Sequence, residues 1–200
     1  YYTADGLTEN KIHSLFEDDQ GRIWIGLDSG VNRLESDTIR TVPELAALTG
    51  SRVTAIAQDR QGRLWFGTEG EGLWVMDESE RSLRAYARQD GLPDDHLQAV
   101  AVDASGRVWI ATRAGLSVFE DPQQADPPVP IPSGARSGWF RTITSRDGLP
   151  DNRIRALLVD PDRADRMWVG TFSGIALLDG GRVAETFGRE QGLLELRVQD

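Results

Sequence analysis

The segment DDQGRIWIGLDSGVNRLE, residues 18–35, returns as DRQGRLWFGTEGEGLWVMD at 59–77 and as DASGRVWIATRAGLSVFED at 103–121. A worn fourth copy, DPDRADRMWVGTFSGIALLD, occupies 160–179. A self-similar unit recurring every few tens of residues marks a repeat architecture, which has to be settled before any site is weighed. Trp24, Trp65, Trp109 and Trp168 are the fixed points of the repeat, at intervals of 41, 44 and 59 residues.

Outward from each Trp the same order of features appears. An apolar stretch precedes it: KIHSLFED (11–18), RVTAIAQD (52–59), HLQAVAVD (96–103) and RIRALLVD (153–160). Between that stretch and the Trp lies an Asp-x-x-Gly turn. Its Asp is suited to accept backbone hydrogen bonds, and its Gly to take a positive φ. The Trp segment itself alternates and is rich in β-formers, and a Gly turn after it leads to a third apolar run such as GLWVMD (72–77). A fourth run follows, SLRAYAR (82–88) in the second unit and WFRTIT (139–144) in the third. Short strands joined by tight turns pair as antiparallel hairpins in series.

The first strand of each unit is apolar at nearly every position, as in Ala55-Ile56-Ala57 and Ala99-Val100-Ala101-Val102. That pattern predicts a strand buried on both faces. Ser14, Ala55, Ala99 and Ala156 share one equivalent position, where small side chains let neighbouring sheets approach closely. A four-stranded sheet with its inner strand covered on both sides, repeated every forty-odd residues, is a β-propeller blade, and the Trp is expected between blades. The fold class is therefore all-β: a β-propeller of four four-stranded antiparallel blades. The blades are expected at about 8–45, 51–88, 95–144 and 152–188. Residues 1–7 read as the end of a preceding blade's outer strand and 189–200 as the start of a following blade. The third unit carries PQQADPPVPIPSGARSG (122–138), a Pro-rich insertion expected to be a surface loop rather than a regular strand. The fourth has a lengthened first turn, DPDRADR (160–166), that has lost its Gly.

Composition bounds the function. The chain has 200 residues with 22 basic and 32 acidic side chains, a formal charge of −10. An acidic chain without a basic cluster is a poor partner for nucleic acid or an anionic membrane. With no cysteine, disulfides and zinc–thiolate sites are excluded. No apolar run approaches the roughly 18 residues of a membrane span, and no signal peptide or initiator Met is visible. The chain reads as a piece of a longer protein, and contact with a membrane is expected only through parts outside it. Four blades with two exposed end faces also predict closure by the rest of a propeller or by a second copy, in a seven- or eight-bladed ring.

The unit DGLPDDHLQAVAVDASGRVWIATRAGLSVFED (90–121) resembles the two-component-regulator propeller repeat of bacterial hybrid histidine kinase sensor domains. The resemblance extends over the other units, with Asn10 and Asn152 matching the family's Asn after the Asp-Gly-Leu signal, and Ser51 and Asp95 departing from it. It implies an exported domain, periplasmic or extracellular, ahead of a membrane helix and a kinase. It also implies a sensor that binds a ligand without catalysis and requires no cofactor.

The residues themselves offer little chemistry. His13 and His96 are the only side chains that titrate near neutrality without a shift. A histidine pair on one propeller face resembles the streptogramin lyase arrangement, but these two fall out of step in the repeat and two blades apart. The glycines of GTEGEG (67–72) join two strands and open no helix, so they build no phosphate loop. Asp18-Asp19, Asp59, Asp103 and Asp160 could ligate Ca²⁺ through oxygen, but one Asp per turn more simply caps the turn, and no metal is expected.

The remaining argument is geometric. Residues opening each inner strand should ring one mouth of the central channel. Asn10, Ser51, Asp95 and Asn152 have a competing duty, to satisfy the backbone of the preceding Gly-Leu turn. His13, Thr54, Gln98 and Arg155 sit three residues further on and differ from blade to blade while the core repeats. Variation on a repeated frame is where a binding surface can be written. These four are the expected ligand contacts, for a small molecule or saccharide. The alternatives are a lyase- or lactonase-type propeller enzyme relying on His13 or on carboxylates, and a protein-interaction scaffold, including a self-assembling ring.

Overall fold

The computed structural model describes residues 3–79, 81–120 and 135–193. The first sheet contains β1 (Ile12–Glu17), β2 (Ile23–Leu27), β3 (Gly30–Glu35) and β4 (Thr38–Thr41). The second contains β5 (Val53–Gln58), β6 (Leu64–Thr68), β7 (Leu73–Asp77) and β8 (Ser82–Tyr86). In the third, β9 (Leu97–Val102), β10 (Val108–Thr112) and β11 (Gly115–Phe119) are followed by β12 (Ala135–Ser137) and β13 (Phe140–Ile143). The fourth contains β14 (Ile154–Val159), β15 (Arg166–Thr171), β16 (Gly174–Asp179) and β17 (Arg182–Phe187). Every pairing is antiparallel between sequence neighbours, save that β11 pairs β13 and β12 is added outside β13. The inner strands β1, β5, β9 and β14 lie side by side in chain order. These are four consecutive propeller blades.

The expected loop at 122–138 is corrected at its end. Ala135–Ser137 pairs with β13 as a fifth strand, and the rest of the insertion up to residue 134 lies outside the described residues. Gly138 then presses on the preceding connector: a Cβ there would stand 2.2 Å from the Asp90 carbonyl oxygen. The Trp139 amide donates to that same oxygen at 3.1 Å.

Three apolar clusters join the blades, each built alike. Trp24 and Val31 of the first blade meet Val53, Ile56, Leu64 and Phe66 of the second, with Leu48 of the connector between them. Trp65 and Val75 meet Leu97, Val108, Ile110 and Phe119, with Leu92. Trp109, Leu116 and Val118 meet Ile154, Met167 and Val169, with Leu149. Trp24, Trp65 and Trp109 are at most 1% exposed, as expected for inter-blade residues. Two of the three rings meet a ring of the next blade edge-on, Trp24 at 5.8 Å from Phe66 and Trp65 at 4.9 Å from Phe119. Close approach of the sheets also holds: a methyl on Gly26 would lie 2.2 Å from Ser14 Oγ and 2.6 Å from the Val53 carbonyl oxygen.

The inner strands are not all covered on both faces. Ile12 and Leu15 on β1 are 43% and 64% exposed, and Leu158 on β14 is 64% exposed. The equivalents of Ile12 and Leu15 in the second blade, Val53 and Ile56, are buried against the first blade. The strand pattern is common to all four blades, but cover requires a blade on each side. Among the described residues β1 has none before it and β14 none after it. Trp168 is correspondingly only half-buried and packs on Phe187 of its own blade.

The connectors explain the Asp-Gly-Leu signal. Asp90 and Asp147 each accept the amide that opens a short 3₁₀ turn, from Ala87 and Thr144 at 2.9 Å. Gly91 and Gly148 then adopt φ of 106°, and Leu92 and Leu149 plug the inter-blade cores. Residues Thr3–Asp5 form the same kind of turn before β1, so the described part of 1–7 is connector rather than the tail of an outer strand. Arg189–Gln191 repeats it after β17.

Candidate functional site

Each inner strand departs from regular pairing at one place. Ile12 pairs with Leu27 and Ser14 with Gly26, so His13 is an extra residue in the ladder. Thr54 falls between the Val53–Thr68 and Ala55–Gly67 pairs. Gln98 falls between Leu97–Thr112 and Ala99–Ala111, and Arg155 between Ile154–Thr171 and Ala156–Gly170. The four residues expected as ligand contacts are thus the bulged residues of four equivalent strands. A bulge breaks the strict alternation of side chains and re-aims the extra one.

Their partners differ. His13 Nε2 lies 2.7 Å from Asp28 Oδ1. The Thr54 hydroxyl donates to the Leu97 carbonyl of the next blade at 2.8 Å and to the Gly67 carbonyl at 3.1 Å. Arg155 Nη1 donates to Gln98 Oε1 at 3.3 Å, while its Nε is enclosed without a partner. Gln98 and Arg155 are therefore brought together across the third and fourth blades. Thr54 is engaged by backbone and His13 by an acid.

Beside the bulges runs a belt of ion pairs. Asp28, just after β2, is held by Lys11 at 2.9 Å and by Arg52 of the second blade at 2.5 Å, in addition to His13. Arg52 also pairs with Glu69, and Arg113 of the third blade reaches Glu69 at 2.9 Å. The Lys11 ammonium above all, then Arg52 and His13, hold the Asp28 carboxyl well below the usual carboxylate range, against a smaller desolvation cost. In the fourth blade the pairing turns inward. Arg153 binds Asp151 through two nitrogens, at 2.7 and 3.0 Å, and lies over the Phe172 ring at 3.8 Å. Arg153, and then the Ser173 hydroxyl, likewise keep Asp151 low.

The competing duty of the residues that open the inner strands is met at three of the four positions, Ser51 showing no such side-chain bond among the described residues. Asn10, Asp95 and Asn152 accept the first amides of the connector turns, from Thr3, Arg88 and Ser145, at 2.7–2.9 Å. The two histidines are each tied to an acid of their own blade, His13 to Asp28 and His96 to Asp94. Among the described residues no three His, Cys, Asp or Glu side chains gather as metal ligands.

A repeated polar knot behind the Trp went unread in the sequence. Asp18 Oδ1 accepts the Gln20 and Arg22 amides, and Oδ2 accepts Arg22 Nε at 2.6 Å and Trp24 Nε1 at 2.7 Å. Asp59–Arg63–Trp65 and Asp103–Arg107–Trp109 repeat it. Each guanidinium also lies 5.3–5.5 Å from its indole ring. Burial would raise the Asp18 pKa, but the Trp24 and Arg22 hydrogen bonds outweigh it and the net shift is downward. The fourth blade has lost the knot. Its longer turn leaves Asp160 with the Asp162 amide, and Arg166 Nε is enclosed without a partner. The spacing Asp-x₃-Arg-x-Trp is legible in these three units, but the fourth carries it too, at Asp162, Arg166 and Trp168, without forming the knot.

Comparison with known proteins agrees with this geometry. The two-component regulator propeller family model matches three segments, residues 6–29, 47–70 and 148–173. No curated protein matches the chain. Among solved structures, the extracellular domain of a hybrid two-component system from B. thetaiotaomicron superposes with a TM-score of 0.74. It has 23% identity and covers 94% of this chain and 24% of its own. The extracellular domain of a second B. thetaiotaomicron protein, described as a one-component system, gives a TM-score of 0.69 at 20% identity, covering 91% of this chain and 25% of its own. The chain spans about a quarter of the length of these structures. The chain is an array of β-propeller blades, three segments of which match the two-component regulator propeller model.

Proposed function

We propose that this chain is a stretch of the extracellular sensor propeller of a two-component signalling protein, and that it binds a small polar ligand without transforming it. In this reading the blades belong to a larger ring of seven or eight, outside the cytoplasm, and ligand binding changes how the ring meets the rest of the sensor. The exposed Ile12, Leu15 and Leu158 are then the surfaces on which adjacent blades pack. One observation carries the ligand reading: all four inner strands bulge at one position, and that position holds His13, Thr54, Gln98 and Arg155 on an otherwise repeated frame. Structural positions repeat because every blade solves the same packing problem. A position that is re-aimed by a bulge and varies in chemistry is free to serve recognition. Thr54 then supports the strand, while His13, Gln98 and Arg155 touch the ligand.

The test is a titration of the isotope-labelled chain with a panel of mono- and disaccharides, followed by nuclear magnetic resonance, with product analysis by mass spectrometry. Shifts centred on residues 13, 98 and 155 with the sugar recovered intact are expected. Shifts confined to other blade edges would refute the site. Turnover that is lost in His13→Ala would refute the non-catalytic reading.

A further inference from the structure

Arg155 differs from every other basic side chain along this edge. Lys11 and Arg52 share Asp28, Arg52 and Arg113 share Glu69, and Arg153 is bound by Asp151. Arg155 has no carboxylate partner among the described residues. Among the described residues its one hydrogen bond is the 3.3 Å contact to the neutral Gln98 amide, and its Nε is closed off from solvent without a partner. The guanidinium is a rigid fork of five N–H donors matched to a planar oxyanion. Enclosing part of that fork unpaired is unfavourable, and an acidic chain with ten more carboxylates than cations has ample means to neutralise it. It does so for every neighbour and not here. Arg155 is moreover a bulged residue, so its side chain leaves the strand's regular alternation.

We propose that Arg155, with Gln98 beside it, is a carboxylate-binding subsite, so that the ligand is an acidic sugar or comparable small carboxylate. The proposal rests on the reading of the bulged positions as the ligand surface. The carboxylate takes the terminal Nη1–Nη2 edge of the guanidinium bidentately, the Nε being enclosed. Gln98 Oε1 accepts the other Nη1 proton, and its amide nitrogen, which gives one proton to the Leu97 carbonyl at 3.4 Å, has a second to offer a ligand hydroxyl. Charge-assisted bidentate bonds are the strong class of hydrogen bond, and discrimination against a neutral analogue follows from leaving the guanidinium unpaired.

The probes are glucuronate and glucose, which differ at C6 as carboxylate and hydroxymethyl, titrated at constant ionic strength into the 200-residue chain. The Arg155 Nε–Hε resonance and the dissociation constants are read together. Glucuronate is expected to shift that resonance and to bind about ten- to a hundredfold more tightly than glucose, a preference lost in Arg155→Gln and partly kept in Arg155→Lys. Unchanged thermal melting of both variants shows that the fold is retained. Equal binding of the two sugars with shifts at His13 and Gln98 would overturn the carboxylate subsite and leave the ligand surface standing. Glucuronate binding unaffected by Arg155→Gln would also overturn it. Absence of any shift at the bulged residues with either sugar would overturn both.

Discussion

The Asp–Arg–Trp knot makes a quantitative prediction because one blade lacks it. Asp59 is 6% exposed and accepts four hydrogen bonds: the Gln61 and Arg63 amides at 3.0 Å, Arg63 Nε at 2.6 Å and Trp65 Nε1 at 2.9 Å. In Asp59→Ala the two turn amides can turn to water. The Trp65 indole, fully buried, cannot, and Arg63 loses its counter-charge. One stranded neutral donor costs about 1–3 kcal/mol, and breaking a buried ion pair about 3–5 kcal/mol, the two overlapping at one carboxylate. A total of about 3–5 kcal/mol is expected. Asp160→Ala in the fourth blade removes one hydrogen bond from the Asp162 amide at an exposed turn and should cost about 1 kcal/mol or less. Urea denaturation followed by Trp fluorescence distinguishes them. At a slope of about 2 kcal/mol/M, Asp59→Ala should lower the midpoint by about 1.5–2.5 M and Asp160→Ala by about 0.5 M or less. Equal shifts for the two variants, or a shift below about 0.5 M for Asp59→Ala, would refute the view that the knot secures the blade.

Three further outcomes are expected. Gly26→Ala forces a methyl against Ser14 Oγ and the Val53 carbonyl and should cost about 2–3 kcal/mol in denaturation; adding Ser14→Ala should restore only part, because the carbonyl remains. Thr54→Val should cost about 1–2 kcal/mol through the hydrogen bonds lost by the Leu97 and Gly67 carbonyls yet leave ligand affinity unchanged within twofold, so a loss of binding would make Thr54 a ligand contact. Asp18, Asp28 and Asp151 have lowered folded pKa values. Their stabilisation is therefore complete above the unfolded Asp value near 3.9 and is lost as pH falls below it through the folded values. Denaturation midpoints should be flat above about pH 5 and fall below pH 4, and the fall should be shallower in Asp151→Asn than in the parent chain.

The blade architecture was legible because packing repeats. Trp24, Trp65, Trp109 and Trp168 recur in sequence, three of them behind an Asp–Gly turn, and even the second role of Asn10, Asp95 and Asn152 followed from the need to cap a turn. Positions 13, 54, 98 and 155 could be singled out by their variation. Their bulging could not, since a register shift is a property of two strands together and Leu27, Thr68, Thr112 and Thr171 carry no local sign of it. The knot was readable in principle from spacing, but an Asp serving a turn leaves no trace of which further donors its second oxygen accepts. The strand at Ala135–Ser137 was hidden by the Pro-rich composition preceding it. The exposure of Leu15 and Leu158 was invisible for a different reason: burial depends on a neighbouring blade, and the same pattern is covered in one blade and bare in another.

The uniform build of the three inter-blade clusters makes the blades interchangeable parts. Trp24 meets Val53 and Ile56 across its interface, and the corresponding residues one blade later are Leu97 and Val100, of nearly the same size and shape. Deleting one whole unit, from the connector before β5 to the connector before β9, would bring the first blade's Trp face onto a surface already shaped to receive such a face. Arrays with different numbers of blades can therefore arise from the same gene by unequal recombination between units, with each change confined to a single seam and every other interface left as it was.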